Sequence, residues 1–294
     1  ERLVIQFLRY RSACTVLSIV LIVGGAVAYI KNGGFNYHID FVGGTELQVS
    51  FAEPVDAGQL RAALSASGWQ DAGIQSVGSQ GKQFLVRVKQ SDKDLEAGFL
   101  SIAREAFKGN AVTVDNISWV GAEVGSDVSW NAILATLLAM LSILLYIALR
   151  SEYRFGMGAV VALAHDMLAI LAIFLMLNEQ ISVNVLMALL TTLGYSINDT
   201  IVIFSRIQEN MVRMKGSSEE EIVETSINQT LRRTLLTSIT TFLAVAAIYV
   251  VGGEALKGFS LAMLIGIVAG TYSSVYIASP VMLAFGRRSS SSNA

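Results

Sequence analysis

Apolar residues run along this chain in two rhythms. Six stretches stay apolar for 18 residues or more: 13–30, 130–149, 155–177, 181–204, about 230–251 and 259–285. A bilayer core roughly 30 Å thick is crossed by about 20 apolar helical residues, so each stretch predicts a transmembrane helix. The first, second and sixth carry no charge. The third holds His165 and Asp166, the fourth holds Asp199, and the fifth has Arg232 and Arg233 near its start. Between the first and second stretches the rhythm shortens. Residues 45–51 (TELQVSF) alternate with period two, and 82–89 (KQFLVRVK) do so most clearly; both predict strands. Residues 74–77 and 112–120 predict two more, and 78–81 (GSQG) is turn chemistry. Residues 56–67 predict a helix with Asp56 as N-cap. Residues 92–107 predict an amphipathic helix with Leu95, Phe99, Ile102, Ala103 and Phe107 on one face. The resulting order, βαββαβ, is that of the split ferredoxin-like motif.

Composition narrows the class. The 294 residues are 53% hydrophobic and 15% charged, with a mean hydropathy of +0.56. That excludes a disordered chain and a disulfide-dense scaffold, and it disfavours an ordinary soluble enzyme. The net charge of −2 gives no basic field for nucleic acid. Cys14 is the sole cysteine and has no internal partner. The fold class is therefore a polytopic α-helical membrane protein: six transmembrane helices plus one α+β ferredoxin-like external (periplasmic) domain between helices 1 and 2.

Lys and Arg placement orients it. Arg2, Arg9 and Arg11 precede helix 1; Arg150 and Arg154 join helices 2 and 3. Arg206, Arg213, Lys215, Arg232 and Arg233 lie between helices 4 and 5, and Arg287 and Arg288 follow helix 6. The opposite links offer only Lys257. Both termini are expected in the cytoplasm, with helix 1 an uncleaved signal-anchor. The expected divisions are 1–30, the cytoplasmic N-terminus and helix 1; 31–128, the periplasmic domain; 129–288, helices 2–6 with a cytoplasmic loop at 205–229; and 289–294, a low-complexity tail. His38 is the one histidine in the periplasmic domain, and no cysteine accompanies it, so no metal site is expected there.

Three motifs punctuate this layout: His38-Ile-Asp-Phe-Val-Gly-Gly44 after helix 1, Gly194-Tyr-Ser-Ile-Asn-Asp-Thr200 in helix 4, and Gln229-Thr-Leu-Arg-Arg-Thr-Leu-Leu-Thr-Ser238 opening helix 5. Together they resemble the SecF family, the smaller partners of SecD in the bacterial protein-export machinery. The resemblance covers nearly the whole chain, and GYSINDT is its most specific part. It implies one half of a resistance-nodulation-division transporter fold. It also implies a SecD-like partner, a place beside the SecYEG channel, unfolded polypeptide as cargo and the proton-motive force as energy source. The expected location is the bacterial inner membrane, in contact with lipid. Neither a nucleotide motif nor a catalytic constellation occurs, so no cofactor, metal or enzymatic activity is expected.

Charge at membrane depth carries the chemistry, because it costs at least ~2.5–3.5 kcal/mol at a helix centre. Asp199 lies five residues before Phe204, roughly 8 Å inside the helix end. Arg233 enters helix 5 from the same side at similar depth and can pair with it. Burial favours a protonated carboxyl and a neighbouring guanidinium favours the ionised form, so moving the two apart and together makes a proton switch. The resemblance implies the same pathway positions for Asp199 and Arg233, with Arg232 ranked lower. Asp166 and His165 either join the relay or satisfy polar groups on helix 4. Thr192, Tyr195 and Ser196 share a helical face with Asp199, Thr237 and Thr241 extend that of Arg233, and Asn198 adds a further polar group. A static ion pair that fixes helix register is the structural alternative.

The remaining features read as structural. Gly266-Ile-Val-Ala-Gly270, extended by Ala262, suits close packing within the bundle or against SecD. Pro280 is expected to kink or end helix 6. Ser218-Glu-Glu-Glu221 fits a capping box opening an amphipathic helix with Ile222, Val223, Ile227 and Leu231. Gly43-Gly44 predicts a turn. Two functional rivals stand beside protein export: a proton-coupled exporter of small molecules or lipids, and a non-transporting assembly subunit.

Overall fold

The computed structural model describes residues 5–69, 72–77, 80–88, 94–150 and 152–291. In chain order the elements are α1 (Arg11–Asn32), α2 (Ile39–Val42), β1 (Gly44–Phe51), α3 (Ala57–Ala66), β2 (Gly73–Val77), β3 (Gln83–Val88), α4 (Leu95–Ala106), β4 (Val112–Val120), α5 (Ala122–Arg150), α6 (Tyr153–Leu177), α7 (Val183–Arg213), α8 (Glu219–Val251), α9 (Glu254–Ser273), a π turn (Ser274–Ala278) and α10 (Ser279–Ser291). Two compact units result: Tyr37–Ile133, and Glu1–Asn36 with Leu134–Ala294. Arg2, Gly78, Ser79, Lys89, the expected helix start at Asp92 and the tail residues 292–294 lie outside the described residues.

The α+β unit follows from its alternation. Strands run β2–β3–β1–β4, with every neighbouring pair antiparallel. The register sets Leu47 opposite Val86 and Val49 opposite Phe84, so these four face one side. They are buried against Leu60 and Leu64 of α3 and Phe99 and Ala103 of α4, where the i, i+4 spacing places each pair on one helix face. Asp56 caps α3 as expected, its Oδ1 accepting from the Gln59 N–H at 3.0 Å. Gly43 and Gly44, at φ 71° and 124°, turn the chain from α2 into β1.

His38, given no role by the sequence, is the centre of an ion cluster. Its Nδ1 lies 3.0 Å from Asp40 Oδ2 and its Nε2 3.5 Å from Glu46 Oε2, which also takes the Arg87 Nε at 3.2 Å. Burial by itself lowers an imidazole, but hydrogen bonds to Asp40 and Glu46, and then their charges, outweigh it and hold His38 at about 9. The ring is therefore a cation at neutral pH, held against the Asp40 carboxylate, with the Asp40 N–H 3.3 Å from the same Nδ1. Burial also lowers the Arg87 guanidinium, opposed by the Glu46 charge.

Six described helical spans are long and apolar enough to cross a membrane: Leu8–Asn32, Glu123–Ile147, Tyr153–Leu177, Val183–Arg213, Glu219–Val251 and Ala255–Gly286. Three differences from expectation have physical causes. The loop expected at 205–229 is helical except at 214–218, because α7 runs on to Arg213 and α8 starts at Glu219. Ile207 of α7 and Ile222, Val223 and Ile227 of α8 bury one another beside Phe155, giving the extensions a core of their own. On their outer side Glu209 bridges Arg206 and Arg213 at i−3 and i+4. Ser218 does cap, accepting from the Glu221 N–H at 3.2 Å, but it opens the whole of α8 rather than a separate amphipathic helix.

Pro280 does not end the sixth span. The π turn directly before it widens the helix, so the ring that would meet a carbonyl in a regular helix is accommodated, and Ser279 Oγ donates to the Ser274 carbonyl at 3.1 Å. Helix continues to Ser291, into the expected low-complexity end. Gly158 of α6 admits this turn; a Cβ there would lie 2.6 Å from the Ala278 carbonyl oxygen.

Candidate functional site

The polar residues of the helical unit gather where helices approach most closely. α9 packs on α7 through its two glycines: a Cβ on Gly266 would run into Thr192, and one on Gly270 would lie 2.9 Å from Ser196 Cβ. The small-residue stripe therefore works inside the bundle. It brings α9 against the face of α7 that carries Thr192, Ser196 and Asp199, all buried.

Two carboxylates lie in this region, and their surroundings differ. Asp166 of α6 is fully buried and well bonded. Its Oδ2 accepts from Ser196 Oγ at 2.5 Å and from Ser273 Oγ at 2.9 Å, while His165 Nδ1 lies 3.2 Å from Oδ1. One side chain thus ties α6, α7 and α9 together. His165 faces α1 with its other nitrogen, 3.0 Å from Ser18 Oγ.

Asp199 is 3% exposed and poorly bonded. Among the described residues its one hydrogen bond is from Ser238 Oγ, at 3.5 Å. Even that donor is shared. Ser238 lies 2.7 Å from Thr271 Oγ1, and Thr271 spends its own hydrogen on the Ile267 carbonyl at 2.8 Å. The single Ser238 hydrogen therefore favours Thr271 over Asp199. Tyr195 OH reaches the same serine at 3.3 Å.

The expected partner makes no direct contact, although its charge acts on the carboxyl. Arg233 is exposed on α8 and forms no ion pair with Asp199. α8 turns Thr234, Ser238 and Val245 inward, so Arg233 and Thr237 face out. Thr237 Oγ1 bonds the Arg233 and Thr234 carbonyls of its own helix. Asn198 is also exposed, and Thr192 Oγ1 contacts Met263 Sδ at 3.5 Å. Of the expected polar groups, then, Ser196 meets Asp166, while Thr192, Asn198 and Thr237 touch neither carboxylate. Ser18, Thr271, Tyr272 and Ser273 complete the site from outside the three motifs, and Ser238 only closes the third of them. Their one signal is spacing: Ser238 follows Thr234 by four residues, and Ser273 follows Gly266 and Gly270 by seven and three.

Membrane-length helices around two buried carboxylates, with an α+β unit inserted after the first, define a multi-pass membrane protein with ionisable groups inside its bundle. Residues 101–288 match the family model of the protein export membrane protein SecD/SecF, C-terminal. The chain is 37% identical to the protein translocase subunit SecF of Thermodesulfovibrio yellowstonii, over 97% of this chain and 96% of that one. It is 35% identical to SecF of Escherichia coli O157:H7, over 98% and 90%. The crystal structure of SecDF, a translocon-associated membrane protein from Thermus thermophilus, superposes with a TM-score of 0.87 at 34% identity, covering 96% of this chain. A crystal structure of SecDF in its super-membrane-facing form gives 0.70 at 33% identity, over 98% of this chain. The chain spans about two fifths of these SecDF chains, 39% and 40%. It belongs to the SecF group of the SecD/SecF family.

Proposed function

We propose that this chain couples the proton-motive force to export of unfolded polypeptide across the bacterial inner membrane, assembled with a SecD-like subunit beside the SecYEG channel. In this reading both termini are cytoplasmic, the α+β unit is periplasmic and the outer helix faces meet lipid or the partner. The observation that carries it is Asp199: a carboxylate buried at membrane depth with, among the described residues, one long, shared hydrogen bond and no ion pair. Such a group is open to a proton, whereas Asp166 is tied to His165, Ser196 and Ser273.

Arg233 has its place in this scheme as the movable partner. A guanidinium on an outward helix face at membrane depth is costly unless protein or water covers it. Leu235, Leu236, Ile239 and Leu243 around it are exposed as well, which suits a face closed by another helical subunit. Approach of the guanidinium to Asp199 favours the ionised carboxylate and proton release; withdrawal favours proton uptake. One elementary charge crossing 100 mV supplies about 2.3 kcal/mol for moving the periplasmic unit. His165 and Asp166 form a second protonatable pair beside this path.

The test is export into sealed vesicles carrying SecYEG, the SecD-like subunit and this chain, with and without an imposed proton gradient. Asp199→Asn, checked for equal co-purification, is expected to abolish the gradient-dependent part alone. Export equal to the unsubstituted chain would move the ion work to the partner. Arg233→Lys is expected to retain more gradient-dependent export than Arg233→Met, and less than arginine, because lysine keeps the charge without the planar fork.

A further inference from the structure

The contacts running from Asp166 to α1 form a series whose hydrogens can be counted. Asp166 Oδ1 meets His165 Nδ1 at 3.2 Å, and His165 Nε2 meets Ser18 Oγ at 3.0 Å. Ser18 Oγ meets Tyr272 OH at 3.1 Å, and Tyr272 OH donates to the Cys14 carbonyl at 2.6 Å. Each contact is a hydrogen bond only if one hydrogen lies in it. The series ends on a carbonyl, which brings none. Ser18 and Tyr272 bring one each, so the His165–Asp166 pair has to supply two. Imidazolium with carboxylate satisfies this, and so does imidazole with carboxylic acid; in both the pair is neutral overall. Burial points the same way. Asp166 has no exposed surface, no Lys or Arg is bonded to the pair among the described residues, and a net charge buried there is costly.

With one proton fewer, three hydrogens serve four contacts. Two electronegative atoms then face each other without a hydrogen, at His165–Ser18, Ser18–Tyr272 or Tyr272–Cys14, because a gap at His165–Asp166 would set an imidazole lone pair against a carboxylate. All three contacts lie in the attachment of α1. A cavity of about 430 Å³ adjoins it, walled by Leu21 of α1, Ala169 and Ile173 of α6, and Leu264 and Val268 of α9. Beside its polar clasp α1 lines this cavity, and its close packing on α6 comes seven residues later, where Gly25 meets Ala172. We propose that Ser18 and Tyr272 are positioning residues that clasp α1 to the His165–Asp166 pair while the pair carries two protons, and that losing one to water releases the middle of α1. This rests on the proton-coupled reading and deepens it, because α1 is the helix that leads into the α+β unit.

The titratable groups around the clasp are Cys14 on α1, Tyr272 on α9, Tyr276 in the π turn beside Tyr272, and Asp199 one turn beyond Ser196 on α7; Glu224 of α8 acts on Tyr276. None of them supplies a hydrogen to the His165–Ser18 contact.

The test uses spin labels at Val20→Cys and Leu168→Cys, both exposed, in a Cys14→Ser background of the full chain with its SecD-like partner in nanodiscs. The expected distance distribution is short and narrow at pH 5, and longer and broader at pH 8. His165→Gln, Ser18→Ala and Tyr272→Phe should each abolish the pH response, and Ser18→Thr should restore it by keeping the hydroxyl. Ser18→Ala and Tyr272→Phe are mild enough to serve if His165→Gln does not assemble. A distribution that does not change between pH 5 and 8, or one that still changes in Ser18→Ala, overturns the proposal. The measurement needs no transport, so its failure is distinct from failure of the proton-coupled reading, which shows as retained export in Asp199→Asn.

Discussion

In the α+β unit the buried side chains are apolar, and Thr45 is the one polar residue among those described as buried there. In the helical unit serines, threonines, two carboxylates and a histidine lie inside, while leucines, isoleucines and valines cover the outside. Each arrangement follows from its surroundings. Water solvates the polar atoms of the first unit, so its core holds what water rejects. A bilayer gains nothing by having leucine inside rather than outside. Helices there associate through close packing and hydrogen bonds, and small hydroxyl side chains supply both. The same choice of interior makes the helical unit able to hold protons and the α+β unit able to hold its shape.

Opposite outcomes for similar substitutions test this contrast. Phe99→Ala removes a fully buried ring from the α+β core, where it packs 6.3 Å from Trp69, and is expected to cost about 3–5 kcal/mol. Leu138→Ala on the outer face of α5 removes a comparable apolar side chain but leaves no cavity, and is expected to cost under about 0.5 kcal/mol. Thermal unfolding of the reconstituted chain, with hydrogen exchange to assign each unit, measures both. Equal losses would mean that the helical unit is held by its apolar exterior.

His38 sharpens the comparison from the other side, since it is a charge the α+β unit keeps. Its pKa is raised to about 9 from an ordinary 6.5. Its contribution is therefore complete below about pH 6.5 and is lost as pH rises through 9, on the order of 2 kcal/mol once solvent screening is allowed for. His38→Gln is expected to destabilise β1 and β3 by that amount near pH 6 and very little above pH 10. Opening free energies of their amides, corrected for intrinsic exchange, follow the difference. A penalty independent of pH would show that the ring acts by packing instead of charge.

The two units were also unequally legible in the sequence. Long apolar runs and period-two strands announce themselves because each is dictated by one solvent acting on many residues at once. The carboxylates stood out as charges in apolar stretches. Their partners did not, because a serine in a membrane helix disturbs neither hydropathy nor period. On α8 the face that carries Arg233 and the face that meets Asp199 differ by a single position. Thr237 and Thr241 continue Arg233 at four-residue steps, but one residue turns an α-helix by about 100°, and it is Ser238 that reaches Asp199. Where α8 is packed is fixed by Thr234, Ser238 and Val245 against α7 and α9, a long-range fact that helical spacing within α8 does not contain.

That one-residue difference gives the smallest and most specific effect. Ser238→Ala removes the one hydroxyl bonded to Asp199 among the described residues and takes from Thr271 Oγ1 the hydrogen that Ser238 gives it. A full hydrogen bond is worth about 1 kcal/mol net, or about fivefold, and this one is long and shared, so gradient-dependent export should fall about two- to fivefold while assembly stays intact. Thr237→Ala changes a neighbour of the same size, but its hydroxyl serves only carbonyls of its own helix, and export should stay unchanged. Tyr195→Phe, which removes the outer contact to Ser238, should lie between the two. The three export rates, measured in the same vesicles, rank the polar groups by their path to Asp199. Equal rates for Ser238→Ala and Thr237→Ala would mean that the carboxylate works without its hydroxyl neighbour, leaving Arg233 as the group that governs its proton.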